Sequence, residues 1–196
     1  MRAGRISRSG WWPALAAVAA GSAFAAAGPS GVVTLDGRAL DPLAAPGGPT
    51  VLVFARTDCP ISNRYAPELR RLHDRFASTG ARFWLVYPDG DEGAEQIRRH
   101  GREFAFGFEA LRDPGHELVR RTGATVTPEV AVFAPGADGP RMVYRGRIDD
   151  RATDFGRTRP APTRRDLEEV LDALAQGKTV APRATRAVGC FISPRP

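Results

Sequence analysis

A chain of 196 residues, 42% of them hydrophobic, is long enough to fold unaided as one domain around an ordinary core. Its net charge of +6 and pI of about 10.3 come almost wholly from arginine, Lys178 being the single lysine. The arginines are scattered among acids, as in "RRDLEEVLDAL", with no concentrated basic stripe or stacking aromatics, which argues against nucleic acid as a partner.

The first stretch, "MRAGRISRSGWWPALAAVAAGSAFAAAGPS", sets Arg2, Arg5 and Arg8 before an apolar run and small residues in an A-x-A arrangement near Ala23 to Ala27. It reads as a secretory signal peptide over residues 1–27. An uncleaved anchor is disfavoured, because spanning takes ~20 strongly apolar residues and this run is short and alanine-rich. No cysteine follows the cleavage region and no arginine pair precedes the run, so neither lipid anchoring nor a twin-arginine route is indicated. The mature protein is expected to be periplasmic or secreted, off the membrane, with half the net charge.

A Gly/Pro-rich entry, "LDGRALDPLAAPGGPT", leads to "TVLVFA" (50–55), apolar at nearly every position as in a strand covered on both faces. From Ser62 to Ser78, Tyr65, Leu69, Leu72 and Phe76 recur at helical spacing. "ARFWLVYP" (81–88) reads as a strand, "EGAEQIRRHGREF" (92–104) as a helix, and "GFEALRD" as a short strand. "PGHELVRRTG" has a proline at an early helical position and a stop at Gly123. "EVAVFAP" (129–135) and "PRMVYRGRI" (140–148), joined by "GADG", form the best hairpin in the chain. The final helix covers 163–177, with Thr163 and Asp166 as a capping box, Leu167, Val170, Leu171 and Leu174 as the apolar face, and Gly177 as the end. The tail, 177–196, has no period. This order predicts an α/β fold: a central mixed sheet, helices on both faces and an antiparallel edge hairpin.

Cys59 lies at the strand-to-helix junction in "VLVFARTDCPISNRYAPELRRL". Unpartnered N–H groups at a helix start favour a thiolate over a thiol, and the thiolate is the nucleophile. Arg56 and Arg64 are near in sequence, with Asp58 as an opposing influence. Pro60 suits the first helical turn. A lowered pKa is expected for Cys59.

"CPISNRYAP" resembles the active-site turn of the thioredoxin-like superfamily, with Cys59 and Pro67 at the family's spacing, and "GATVTPEVAVF" puts Pro128 where that family has a cis proline. The resemblance covers roughly residues 48–176. The insertion and the "DPGHELVRRTGATVTPEVAVF" segment are closest to the redoxin branch, which includes alkyl hydroperoxide reductase and thiol-specific antioxidant proteins and exported thiol-disulfide oxidoreductases. It implies a redoxin domain over 28–176 without a cofactor. It also implies catalysis by Cys59 and a substrate site at Thr57, Ser62, Thr127 and Pro128, with Thr127 and Pro128 offering backbone groups to an extended substrate. The implied partners are a protein disulfide or hydroperoxide substrate and an external thiol reductant or redox protein. Two departures stand out. Ser62 replaces the second cysteine of C-x-x-C. The peroxiredoxin pattern P-x-x-x-T/S-x-x-C fails at Leu52 and Arg56, with Thr57 one residue late.

Cys190 lies 131 positions from Cys59. In an oxidising compartment two cysteines most often bond to each other. A bridge closing so long a loop contributes about 4–5 kcal/mol in the loop-entropy picture, so a structural staple is one reading. The other makes Cys190 the resolving thiol for a mixed disulfide or sulfenic acid at Cys59, and the apolar flanks in "AVGCFI" suggest a docked tail. The functional alternatives are thus thiol-disulfide exchange, hydroperoxide reduction, and a non-enzymatic scaffold. His73, His100 and His116 have no metal-ligand spacing and read as surface or capping residues, so no metal is expected. Asp149 and Asp150 read as a strand end opening a turn.

Overall fold

The computed structural model describes Met1, residues 31–44 and residues 47–193; the rest of the expected leader, with its cleavage region, lies outside them. Thr50–Phe54 forms strand β2, buried at all five positions. It pairs in parallel with β3 (Arg82–Tyr87) and antiparallel with β6 (Glu129–Ala134). β4 (Glu109–Arg112) runs parallel to β3, and β1 (Val33–Thr34) pairs antiparallel with β4. On the other side β7 (Arg141–Gly146) completes the expected hairpin with β6. A strand from the tail, β10 (Arg183–Ala184), lies parallel to β7, so the order is β1-β4-β3-β2-β6-β7-β10. This is the expected mixed α/β sheet.

Alternation along the strands sends side chains to opposite faces. Val51, Val53, Leu85, Val130 and Val132 face three helices: α2 (Ala66–Phe76), α3 (Ala94–Glu103) and α5 (Asp166–Ala175). Those helices supply Leu69, Leu72, Ile97, Leu167 and Leu171 to one buried cluster. Leu52, Phe54, Val86 and Phe133 face the other way, against Val32, Leu43 and Leu118 of α4 (Glu117–Thr122). Each such side chain contributes about 1.5–3 kcal/mol on burial. Across α2 and α5, Arg71 bridges Glu68 and Glu168 at 2.7 and 2.6 Å, holding two nearly buried carboxylates together.

Several local expectations change. The helix expected from Ser62 to Ser78 is two: α1 (Pro60–Arg64) and α2, separated at Tyr65. Pro67, in the first turn of α2, has no N–H to continue the α1 ladder. Pro114 lies before α4 rather than in it; His116 is the cap, with φ 55°, and the Asp113 carboxylate accepts the N–H groups of Glu117 and Val119 at 2.7 and 3.0 Å. α5 starts at Asp166, and no capping box forms: the Thr163 N–H bonds Asp150 at 2.7 Å, while Asp166 pairs with Arg147 at 2.7 Å. Gly177 does end the helical segment, with φ +69°. The tail is not featureless, since it contributes β10 and a further strand described below.

Asp149 and Asp150 are more than turn residues. Asp149 is buried and accepts the Tyr65 hydroxyl at 2.5 Å and the Arg151 N–H at 2.8 Å. Asp150 accepts the Thr163 hydroxyl, the N–H groups of Thr163 and Arg164, and Arg159. Desolvation would raise its pKa, but these donors outweigh it and hold the carboxyl well below the usual range. A depressed folded-state pKa stabilises above the unfolded value and ceases to do so as pH falls through the folded one. Asp150→Ala is therefore expected to cost about 1–3 kcal/mol at pH 7. Urea titrations should show the gap from wild type closing as pH drops below about 4.

Candidate active site

Cys59 is the residue immediately before α1: its carbonyl accepts the Asn63 N–H at 3.0 Å, the first helical bond, and Pro60 follows at the helix start. The loop leading to it is pinned through Thr57. Its N–H donates to Glu92 Oε1 at 2.6 Å, its hydroxyl accepts Gln96 Nε2 at 2.7 Å, and its carbonyl accepts Asn63 Nδ2 at 3.1 Å. Asn63 Oδ1 meets His100 Nε2 at 2.8 Å, and His100 Nδ1 meets the Tyr87 hydroxyl at 2.8 Å. His100 is thus a buried strut rather than a surface residue, and desolvation lowers its pKa. His116 is buried too, at the start of α4 as a cap, with Nε2 3.0 Å from Pro88 O; His73 is half-buried.

The Cys59 side chain is wholly buried, and its Sγ–H donates to the Thr127 carbonyl at 3.0 Å, next to the cis Thr127–Pro128 bond. Cys190 supplies the second sulfur. It belongs to β11 (Cys190–Phe191), which pairs antiparallel with β5 (Val126–Thr127) and sets Cys190 opposite Thr127. Both cysteines are free thiols, and Cys190 Sγ–H donates to Cys59 Sγ at 2.7 Å. Cys59, Ser62, Thr127, Pro128 and Cys190 thus meet at one point, while Thr57 has its polar groups engaged in holding the loop.

Desolvation would raise the Cys59 pKa, but the Cys190 thiol and the Ser62 amide and hydroxyl overcome it, so the net direction is down. Ser62 Oγ is buried with no hydrogen-bond partner among the described residues. While Cys59 is protonated its proton points at Thr127 O; once ionised, the sulfur becomes an acceptor that the orphaned hydroxyl can satisfy. Cys190 is pushed up to about 12, by burial and by giving its hydrogen to the Cys59 sulfur. One proton leaves the pair easily and the second is retained. Arg56 is held by Asp58 and Asp89 at 3.1 and 3.3 Å, so local hydrogen bonding rather than arginine charge favours the thiolate.

Sequence reasoning missed the supporting set Glu92, Gln96 and His100, because nothing in a helical pattern marks which polar residue points inward. It also missed the pairing of the tail with β5, for which the apolar flanks of Cys190 were the one available signal.

Comparison with known proteins agrees with this architecture. The sequence profile of the AhpC/TSA family matches residues 31–140, more than half of the chain. No curated protein matches. Among solved structures, an uncharacterized conserved protein from Geobacillus kaustophilus is 24% identical with a TM-score of 0.66, covering 84% of this chain and 88% of that one. A hypothetical protein from Sinorhizobium meliloti 1021 is 21% identical with a TM-score of 0.65, covering 82% and 88%. MTB DsbF, solved in mixed oxidized and reduced forms, is 18% identical with a TM-score of 0.51, covering 76% and 93%. These likenesses establish the thioredoxin-like fold.

Proposed function

Since the chain belongs to the AhpC/TSA family, we propose that it is a thiol-dependent oxidoreductase in which Cys59 exchanges with a disulfide and Cys190 resolves the product. The observation that carries this reading is the sulfur pair, 2.7 Å apart beside the Thr127 carbonyl. The Cys59 thiolate attacks one sulfur of the substrate disulfide; that bond breaks, a Cys59–substrate bond forms, and the other substrate sulfur leaves as a thiolate that takes up a proton. The Cys190 thiolate, formed as its proton is lost, then attacks Cys59 Sγ. The substrate leaves as a dithiol, carrying two electrons and two protons, and the chain is left with a Cys59–Cys190 disulfide. An external dithiol restores it.

This pairing substitutes for the cysteine that Ser62 replaces in the turn. The leader pattern supports action in an exported compartment, where such a cycle meets disulfide substrates. Among the described residues no helix is long and apolar enough to cross a membrane, and no group of His, Cys, Asp or Glu could hold a metal ion.

The test is to mix fully reduced protein with a limiting protein disulfide and map the product by mass spectrometry. The expected product is one intramolecular Cys59–Cys190 bridge per disulfide consumed. Free thiols at both positions after air oxidation would sink the reading. Stopped-flow oxidation by hydrogen peroxide separates the hydroperoxide alternative: a rate like that of free cysteine is expected, because Leu52 and Arg56 stand where a peroxidatic pattern has Pro and Thr/Ser.

A further inference from the structure

We infer that residues 189–192 are a resident pseudosubstrate: they occupy the edge of β5 that a cysteine-bearing segment of extended polypeptide takes when it reacts, and such a segment binds by displacing them. The inference rests on Cys59 being the exchanging thiol.

β11 meets β5 as an added strand, with Cys190 opposite Thr127, Phe191 opposite Val126, and the Ile192 N–H donating to Thr125 O at 2.9 Å. Main-chain pairing of this kind depends little on side chains, so an extended segment with a glycine before its cysteine can reproduce it. The register delivers the tail's sulfur to Cys59, the position a substrate sulfur must reach. Gly189 makes the approach possible, because a Cβ there would overlap the Thr127 carbonyl and lie 3.1 Å from Pro128 N.

With the tail seated, Cys59, Thr127 and Pro128 are all buried, and the edge of β5 next to Cys59 is taken by β11. A protein disulfide therefore needs that edge vacated. The tail is suited to leaving: β11 is a two-residue strand in a two-stranded sheet, a size that is marginal alone, and Phe191 is 79% exposed. Beside it, a cleft of about 970 Å³ runs toward the β8 (Ala152–Asp154) and β9 (Arg157–Thr158) hairpin. Phe155 and Phe191, which line it, are the exposed large apolar side chains among the described residues apart from Met1. They offer apolar contact to the remainder of an incoming chain.

The experiment uses the full chain under reductant and a fluorescein-labelled peptide carrying residues 186–193 with serine in place of cysteine. Gly189→Val and Ile192→Pro are made separately, the first blocking the close approach and the second removing the N–H that bonds Thr125; either alone suffices if the other fails to fold. Each is expected to bind the peptide at least about tenfold more tightly than wild type, whose own tail competes. A peptide N-methylated at the position of Ile192 should bind the variants at least about tenfold more weakly than the unmodified one. Equal peptide affinity for wild type and variants, binding to neither, or indifference to N-methylation overturns the inference. Reaction of Cys59 with 5,5′-dithiobis(2-nitrobenzoate), a small disulfide that needs no strand edge, is read on the same proteins. A reactive Cys59 without peptide binding removes the pseudosubstrate and leaves the exchange function standing; a Cys59 unreactive even in the variants, whose tail is unseated, removes both.

Discussion

Cys59→Ser is expected to lower reduction of a protein disulfide by about a thousandfold or more, to the rate of the unassisted reaction, while the fold persists. The loss follows from the chemistry: a hydroxyl neither ionises near neutral pH nor forms a mixed disulfide. The retention of fold follows from the setting. Serine is slightly smaller than cysteine, and its hydroxyl can still donate to Thr127 O, so the buried carbonyl keeps a partner. Single-turnover reduction of a protein disulfide and urea unfolding, measured on the same preparation, decide the matter. Unchanged reduction with lost stability would favour the scaffold reading, in which a Cys59–Cys190 bridge only fastens the tail.

Cys190→Ala should stop the cycle one step later and change the ionisation of Cys59 as well. Without the second thiol, the Cys59–substrate mixed disulfide should accumulate toward one per chain, and turnover should fall roughly tenfold or more, to the pace of attack by external thiol. Among the influences on the Cys59 pKa, only burial outweighs the Cys190 hydrogen bond, and the two act in opposite directions. Removing the side-chain bond leaves burial opposed only by the weaker hydrogen bonds of Ser62 and the residue-190 amide, so the pKa rises. In wild type, thiolate absorbance near 240 nm should grow in two steps, the first below the ordinary thiol value of 9.0 and the second at about 12. In Cys190→Ala one step remains, at a higher pH than the first step of wild type, so a smaller fraction is thiolate at pH 7. An unmoved first step would show that the two sulfurs do not share a proton.

The stability of the site's frame was partly legible beforehand. The run at Thr50–Phe54 read as a strand covered on both faces, and Leu69, Leu72 and Phe76 as one face of a helix, and both are seen. Cys59, shortly after that strand and with Pro60 next, marked a helix start from local chemistry alone. Asp150 and His100 were misjudged for one reason. A polar residue in a polar context carries no local mark of burial, and both are buried by segments distant in sequence, α5 and its approach for Asp150, β3 and α1 for His100.

Residues close together along the chain determined the strands, the helix beginning at Pro60 and the place of Cys59 at that helix's start, because periodicity, proline and orphaned N–H groups act over a few positions. Which sulfur sits against it was a matter for the tertiary structure. Residues 183–192 have no periodicity of their own; they become strands only where β7 and β5 present open edges. Backbone hydrogen bonds to those edges are blind to side-chain pattern, and together with the packing of Val188 and Ile192 on the body they bring Cys190 across 131 positions to Cys59.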